Sequence, residues 1–177
     1  YLIYLKVLYL LYGQEVEQQA EEENEPGDIP ITSFQRHGVW RALRILDKYG
    51  GVLIADGVGL GKTFIAGEII RLYRERRQRV LLICPAALRD STWDEFLHEY
   101  QLFVECVSFE ELARDRQLGG NDSHLHSPID EFALVLVDEA HNYRNPDAPA
   151  RAGVLRRLLM GQRRDLVLLS ATPVNNS

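Results

Sequence analysis

The sequence predicts an α/β fold with a parallel central sheet. From residue 30 onward, short apolar runs alternate with longer amphipathic ones, which is typical of strands covered by helices. The chain has 177 residues, of which 46% are hydrophobic, enough to bury the core of one domain of ordinary size. A glycine-rich segment from Asp56 to Thr63 lies between the first apolar run and the next amphipathic one. This order indicates a strand, a tight loop and a helix in succession.

The first half of this region contains two helices and the strand between them. Thr32 or Ser33 can cap a helix that runs to residue 48, because apolar side chains recur along it at helical spacing. Two consecutive glycines end that helix, and the apolar residues 52–55 then predict a buried strand. Beyond the glycine loop, an apolar stripe predicts a helix over residues 62–77.

The second half continues the same alternation. Four more apolar runs predict strands, and the amphipathic stretches between them predict helices. The predicted strands are 80–83, 103–108, 134–137 and 166–169; the predicted helices are 88–100, 109–116 and 150–160; and residues 117–128 are predicted to form a polar loop.

The first 30 residues differ in composition from the rest. Residues 1–12 are apolar except for Lys6, but they are too few to cross a bilayer, which needs about 20 residues. They also lack the basic start and cleavage site of a signal peptide. We expect a helix that packs on a neighbouring domain, then an acidic linker over residues 15–28. The domain boundary is therefore expected near residue 30, with the α/β domain spanning residues 31–177.

Charge and cysteine content set limits on partners and location. The net charge is −6, but residues 13–28 hold seven acidic side chains and no basic one. Residues 29–177 carry 19 basic and 19 acidic side chains, so net charge does not decide the partner. The two cysteines are too few for a disulfide framework. A reducing, cytoplasmic location is expected.

The glycine-rich segment has the residue types of a phosphate-binding loop. Glycines allow backbone N–H groups to converge on phosphate oxygens, and the N-terminus of the following helix adds partial positive charge. A lysine there reaches the β and γ phosphates, and a hydroxyl ligates magnesium. The residues expected to bind nucleotide are Gly57, Gly59, Gly61, Lys62 and Thr63, with Thr63 also a metal ligand.

A second constellation follows the apolar run 134–137. Asp138 and Glu139 are adjacent carboxylates at the end of a predicted strand. In proteins that hydrolyse nucleotides on a phosphate loop, one such carboxylate holds magnesium and a second positions the attacking water. Asp138 is expected in the first role and Glu139 in the second. Alone, the pair could be a helix start with an acidic cap, but its pairing with the phosphate loop favours the metal-binding role.

These segments together resemble motifs of superfamily 2 helicases. The loop Asp56 to Thr63 and the segment Asp138 to His141 resemble motifs I and II of the DEAH variety. Asp56 stands where many phosphate loops have glycine, as is common in Snf2-like motors. Three further segments fall in the expected order along the chain: Ser33-Phe34-Gln35 resembles the Q-motif, Cys84-Pro85 with Trp93 resembles motif Ia, and Ser170-Ala171-Thr172-Pro173 resembles motif III. Ser-Ala-Thr is the general helicase form of that last motif, whereas many Snf2 proteins have Gly-Thr-Pro.

The resemblance implies roles for further nucleotide-site residues. Gln35 would bond the adenine edge, since an amide offers both a donor and an acceptor, and Phe34 would stack nearby. His141 would contact the γ-phosphate network. Ser170 and Thr172 would couple hydrolysis to the nucleic-acid track. Each also has a structural alternative, such as a helix-start residue or a loop cap.

For nucleic acid, the resemblance implies contacts around Pro85, Ala86 and Arg89, made by backbone amides and side chains on phosphates. It implies a three-layer RecA-like P-loop NTPase lobe that binds ATP and Mg²⁺ and works with a second RecA-like lobe. With duplex DNA as the expected track, the activity would be that of a helicase or translocase, and the single lobe is expected to hydrolyse ATP weakly or not at all. Two alternatives stay open: a nucleotide-dependent sensor module without motor activity, and the motor subunit of a restriction or defence system.

Overall fold

The computed structural model describes residues 29–56, 61–115, 123–144, 149–161 and 163–171. The predicted N-terminal apolar helix and acidic linker lie outside these ranges. So do the middle of the glycine loop, with Gly57 and Gly59, and the end of the chain from Thr172 onward. Among the helices of the described residues, none combines the length and the apolar character needed to cross a lipid bilayer.

A five-stranded sheet forms the centre of the domain, and all its strand pairs are parallel. Its strands lie side by side in the order β1-β5-β4-β2-β3. The strands are β1 Gly51–Asp56, β2 Arg79–Cys84, β3 Glu105–Ser108, β4 Phe132–Val137 and β5 Asp165–Ala171. Parallel strands need crossover connections, which the intervening helices supply. The predicted α/β fold with a parallel sheet is confirmed.

Helices cover both faces of this sheet. They are α1 Ser33–Tyr49, α2 Lys62–Glu75, α3 Ala86–Leu88, α4 Asp94–Glu99, α5 Phe109–Arg114 and α6 Pro149–Leu159. A π-helical turn, Arg89–Trp93, joins α3 to α4, and short 3₁₀ turns occupy Ile129–Glu131 and Ala140–Arg144.

Two buried clusters, one on each face of the sheet, form the core. Leu46 of α1 and Ile69 of α2 lie in the first cluster with Trp93, while Leu112 of α5 and Leu158 of α6 lie in the second. Alternate residues of the strands face the two clusters, so the strands are apolar on both sides. Each buried leucine contributes about 2 kcal/mol by leaving water. The result is a three-layer domain.

Helix α1 begins at the predicted cap. The Thr32 hydroxyl accepts a hydrogen bond from Gln35 N at 3.3 Å, and Gln35 Oε1 accepts one from Thr32 N at 2.8 Å. This reciprocal pair satisfies two amides that a helix start otherwise leaves unpaired. The helix ends at Gly50, whose φ of 72° is left-handed, as the glycine pair predicts.

The prediction of one continuous helix over residues 88–100 is wrong, because the structure has two short helices joined by a π-helical turn. The segment begins earlier, after Pro85, and widens into the π-helical turn before α4. At this turn the Ser91 hydroxyl donates to the Ala87 carbonyl at 2.6 Å, a side-chain bond that competes with regular helix pairing. The wider turn brings Trp93 into the core, where it is fully buried.

Several element boundaries differ from the prediction by one or more residues, and two of these differences have a clear physical reason. Strand β3 begins at Glu105 rather than at residue 103, because the Phe103 side chain is 77% exposed and contributes nothing to the core. Helix α2 ends at Glu75, because the chain takes a left-handed φ of 58° at Arg77, which an α-helix cannot accommodate.

Candidate functional site

The predicted site residues gather at one edge of the sheet. Because every strand is parallel, the carboxyl ends of β1, β5, β4 and β2 meet at that edge. Asp56 ends β1, and Asp138 directly follows β4. Ser170 of β5 is paired in register with Ala55 of β1. With strands about 4.8 Å apart, the ends of β1 and β4, separated by β5, lie about 10 Å from each other.

The start of α2 lies beside Gln35. Gly61 caps this helix with a left-handed φ of 74°, and Lys62 and Thr63 form its first two residues. A Cβ atom placed on Gly61 would lie 2.2 Å from Gln35 Nε2, well inside contact distance. Glycine is therefore favoured here for two reasons: it adopts this backbone angle without strain, and it leaves room for the Gln35 amide. The structure brings Gln35 next to Gly61 of the predicted phosphate loop, although the two residues are far apart in sequence.

The two ends of the Gln35 amide have different surroundings. Its Oε1 accepts hydrogen bonds from Thr32 N at 2.8 Å and from the Thr32 hydroxyl at 3.2 Å. Its Nε2 lies against Gly61. The preceding ring, Phe34, is 57% exposed, so it is open to stacking. The adenine-binding role of both residues stays a prediction.

Asp138 is held in a fixed orientation. The residue is 8% exposed, and its backbone N–H donates to the Ile83 carbonyl at 2.8 Å. Its Oδ1 accepts from Glu139 N at 2.8 Å, and its Oδ2 accepts from the indole Nε1 of Trp93 at 2.9 Å. The sequence places Trp93 in the segment that resembles motif Ia but does not predict its hydrogen bond to Asp138. Its place in that segment is the sequence signal for this residue.

The backbone is strained at Glu139. Its φ of 49° lies in the left-handed region, which is costly for a residue with a side chain and recurs at functional sites. Its carbonyl accepts two hydrogen bonds from Asn142, one from N and one from Nδ2, both at 2.9 Å. These two hydrogen bonds close a turn at Glu139, where the chain leaves the direction of strand β4.

The Glu139 carboxylate has one atom without a hydrogen bond. His141 Nδ1 lies 3.0 Å from Glu139 Oε2, close enough for an ion pair when the imidazole is protonated. The angles do not make this contact a hydrogen bond, and the buried Oε2 has no hydrogen-bond partner within the described part of the chain. A buried acceptor without a hydrogen bond is uncommon in folded proteins and is one of the features found at catalytic sites.

The predicted nucleic-acid residues lie in the segment that directly follows β2, where Pro85 caps α3, Ala86 begins that helix and Arg89 begins the π-helical turn. The Ala86 N–H donates to Glu110 Oε2 at 3.3 Å. Arg89 pairs with Glu111 at 2.6 Å and with Asp90 at 2.9 Å, and these bonds raise the pKa of the guanidinium. Burial alone would raise the pKa of Glu111, but bonds from Ser108 and Arg89 lower it to about 2. Arg89 is thus already committed to two carboxylates, and its contact with phosphate stays a prediction.

The coupling residues are only partly described. Ser170 is buried at the end of β5, and its hydroxyl donates to the Ala171 carbonyl at 3.5 Å, a long bond that a better acceptor could replace. Thr172 lies outside the described residues. The structure therefore places Ser170 beside β1 and leaves the coupling role as a prediction.

The residues at this edge fit a magnesium ion. Mg²⁺ prefers hard oxygen ligands, and it is usually held by one or two carboxylates with water and substrate phosphates. Asp138 offers an ionisable carboxylate in a fixed orientation, and Thr63 offers a hydroxyl in the first turn of α2. The buried Oε2 of Glu139 adds an acceptor suited to orienting a bound water.

Comparison with known proteins gives one family and several relatives. The family model described as type III restriction enzyme, res subunit, matches residues 28–175. A Xenopus laevis protein, the SWI/SNF-related matrix-associated actin-dependent regulator of chromatin subfamily A-like protein 1, is 32% identical over 157 residues. That match covers 81% of this chain and 15% of the relative, so the chain spans a small part of its length.

Two solved structures share the fold. The Sulfolobus solfataricus SWI2/SNF2 ATPase core in complex with dsDNA matches with a TM-score of 0.62 and 19% identity, over 87% of this chain and 35% of that one. The UvsW helicase from bacteriophage T4 matches with a TM-score of 0.53 and 14% identity, over 78% of this chain and 51% of the helicase.

Proposed function

The chain belongs to the superfamily 2 family described as type III restriction enzyme, res subunit, as a Snf2-like RecA lobe, and we propose that it binds MgATP for movement along nucleic acid. In this proposal a second RecA-like lobe completes the motor. The track is duplex DNA, and the location is intracellular, which suits the two free cysteines.

One observation carries the proposal. The Asp138 carboxylate, fixed by two hydrogen bonds, lies at the same sheet edge as the N-terminus of α2 with Lys62. A phosphate-binding helix start and a metal-binding carboxylate at the same sheet edge can together hold a magnesium triphosphate. A phosphate loop alone would bind nucleotide without supporting its hydrolysis.

Each site residue has a distinct task in this mechanism. Lys62 balances charge on the β and γ phosphates, while Thr63 and Asp138 would hold the metal. When bound, Mg²⁺ would neutralise charge that develops on the phosphates. The Glu139 carboxylate orients the attacking water and accepts its proton.

His141 and Gln35 act at the rim of the nucleotide site. The imidazole of His141 lies 3.0 Å from Glu139 Oε2, so it can keep that carboxylate in place. Gln35 reads the adenine edge with an amide already placed at the start of α2. Because Lys62 and the metal would balance part of the transition-state charge, slow hydrolysis is expected until the second lobe contributes cationic side chains.

The nucleic-acid part of the proposal depends on the segment that follows β2. Pro85, Ala86 and Arg89 lie at the same sheet edge as the nucleotide site, where small shifts in one can reach the other. The Sulfolobus relative in the fold comparison is described as a complex with dsDNA, which favours duplex DNA as the track. Binding through amides and an arginine would be independent of base sequence.

The first test is nucleotide binding by the chain itself. A fluorescent ATP analogue is titrated with Mg²⁺ present, and binding is followed by the anisotropy of the nucleotide. Lys62→Ala should abolish saturable binding, whereas Lys48→Ala, which removes an exposed lysine over the Tyr49 ring on α1, should leave it unchanged. Equal binding by both variants would refute the phosphate-loop assignment.

A second candidate is the motor subunit of a restriction system, which the description of the matching family favours. It shares this lobe and differs in the domains attached to it, so a nuclease domain elsewhere in the same protein would decide for it. The sensor-module alternative predicts that Glu139→Gln in the intact protein loses hydrolysis but keeps function. A motor loses both.

A further inference from the structure

We propose that Trp93 is a positioning residue that orients Asp138 for magnesium and connects it to the helical segment after β2. The proposal deepens the proposed function and rests on it. Its basis is a hydrogen bond between side chains 45 positions apart, from the Trp93 indole to Asp138 Oδ2, at 2.9 Å and fully buried.

The indole cannot readily leave this position. Trp93 is 0% exposed, and its ring packs edge-on against Phe96 with the centroids 5.9 Å apart. An indole has one N–H donor and no acceptor, so in a buried site it needs a partner like Asp138 Oδ2. Breaking the bond would leave a donor and a carboxylate oxygen unpaired in the core, which is strongly unfavourable.

The bond also leaves the carboxylate available to a metal. Each carboxylate oxygen has two lone pairs, and the structure uses one donor on each, Glu139 N on Oδ1 and Trp93 Nε1 on Oδ2. The two donors fix the plane of the carboxylate. Because both are neutral, they do not balance its negative charge, so its attraction for a cation is preserved. Ligands of metals are commonly held by such partners.

Trp93 also links the metal site to the predicted nucleic-acid segment. It is the last residue of the π-helical turn, in which Asp94 N donates to the Arg89 carbonyl. Arg89 N in turn donates to the Pro85 carbonyl at 3.0 Å. A shift of this short, bonded segment therefore moves the indole, and with it the orientation of Asp138. Single π-helical turns within helices are frequent at functional sites.

The test measures how nucleotide binding depends on Mg²⁺. Trp93→Phe keeps an aromatic ring but removes the N–H, and Trp40→Phe, which changes the half-exposed tryptophan of α1, is the matched control. The fluorescent nucleotide is titrated at a series of Mg²⁺ concentrations. Loss of a partner that orients a metal ligand typically weakens metal affinity about 10- to 100-fold. Trp93→Phe should therefore need that much more Mg²⁺, with binding in EDTA unchanged, and Trp40→Phe should match the native chain.

A spectroscopic measurement covers the case in which Trp93→Phe does not fold. Trp40 and Trp93 are the two tryptophans of the chain, so the Trp40→Phe protein reports on Trp93 alone. Adding Asp138→Asn should shift the Trp93 emission without any ligand, and Mg²⁺ alone should change the emission only when Asp138 is present. An emission that ignores Asp138→Asn would overturn the proposal, as would a Mg²⁺ requirement unchanged by Trp93→Phe.

The two proposals fail in different ways. If the native chain bound no nucleotide while Trp93 emission still responded to Mg²⁺ through Asp138, the proposed function would be refuted and the role of Trp93 supported. If nucleotide binding were lost in Lys62→Ala but the Mg²⁺ requirement were the same in Trp93→Phe, the function would stand and the positioning role would be refuted.

Discussion

Replacing Gly61 by alanine should destabilise the domain by about 2 kcal/mol, through two separable effects. The first is conformational, because alanine must adopt the left-handed φ of 74° that Gly61 has at the start of α2. The second is steric, because the new Cβ would lie 2.2 Å from Gln35 Nε2. The glutamine would rotate away and lose its bonds to Thr32.

Each effect has its own magnitude. A left-handed alanine costs about 1 kcal/mol relative to glycine. Gln35 Oε1 accepts from the amide and the hydroxyl of Thr32, and the loss of such a helix-capping pair costs about 1 kcal/mol more. Gly50→Ala is the matched control. Gly50 has nearly the same φ, 72°, but the nearest atom to its Cβ would be 3.5 Å away, so only the first cost applies.

Urea unfolding followed by circular dichroism measures both variants. Gly61→Ala should lower the free energy of unfolding by about twice as much as Gly50→Ala, or lower the melting temperature by about 4–8 °C for a domain of this size. In a Gln35→Ala background the glutamine is already gone, so Gly61→Ala should then cost only about 1 kcal/mol. If Gly61→Ala lowered the free energy of unfolding no more than Gly50→Ala does, the close contact between Gln35 and Gly61 would be refuted.

Three further predictions concern other parts of the structure. Above pH 4.5 the ionised Glu111 stabilises the fold, and this contribution is lost as the pH falls through the lowered pKa of about 2. In Glu111→Gln the free energy of unfolding should therefore depend less on pH between pH 2 and 4.5 than it does in the native chain. In the native chain a thiol reagent should react with the half-buried Cys106 faster than with the buried Cys84, because the hydrogen bond with Cys106 and burial raise the pKa of the Cys84 thiol. Equal rates of modification at the two cysteines would contradict this prediction. Arg164→Met should lower the free energy of unfolding, measured in urea, by about 2–4 kcal/mol, because the buried guanidinium donates hydrogen bonds to three backbone carbonyls. The control Arg163→Met, at an exposed position, should leave that free energy almost unchanged.

The parts of the fold that follow from local pattern could be predicted from the sequence. A cap at Thr32 and a glycine stop at Gly50 are decided by hydrogen bonds within a few residues, and the structure has both. The parallel sheet follows from apolar runs that alternate with helical periods, and it places the phosphate loop and Asp138 at one edge. The edge of the sheet that carries the site was therefore accessible to sequence reasoning.

Contacts between distant segments could not be predicted in the same way. The bond from Trp93 to Asp138 depends on how a helix packs over the sheet, and the spacing of residues along the chain does not contain that information. The left-handed φ of Glu139 is likewise imposed by Asn142 after the chain has folded. No propensity of glutamate would suggest it, since this conformation favours glycine and asparagine.

The π-helical turn between α3 and α4 shifts the phase of the helix surface. Each residue of an α-helix advances the side chain by about 100°, so one additional residue in a turn rotates all that follows by that angle. Because of this rotation, the residues before the turn can face the sheet edge that carries the candidate site, while Trp93 and Phe96 point into the core. Deleting Ser91 would restore a regular helix and force a choice between these orientations. The extra residue lets a single continuous segment satisfy two surfaces that a regular helix could not serve together.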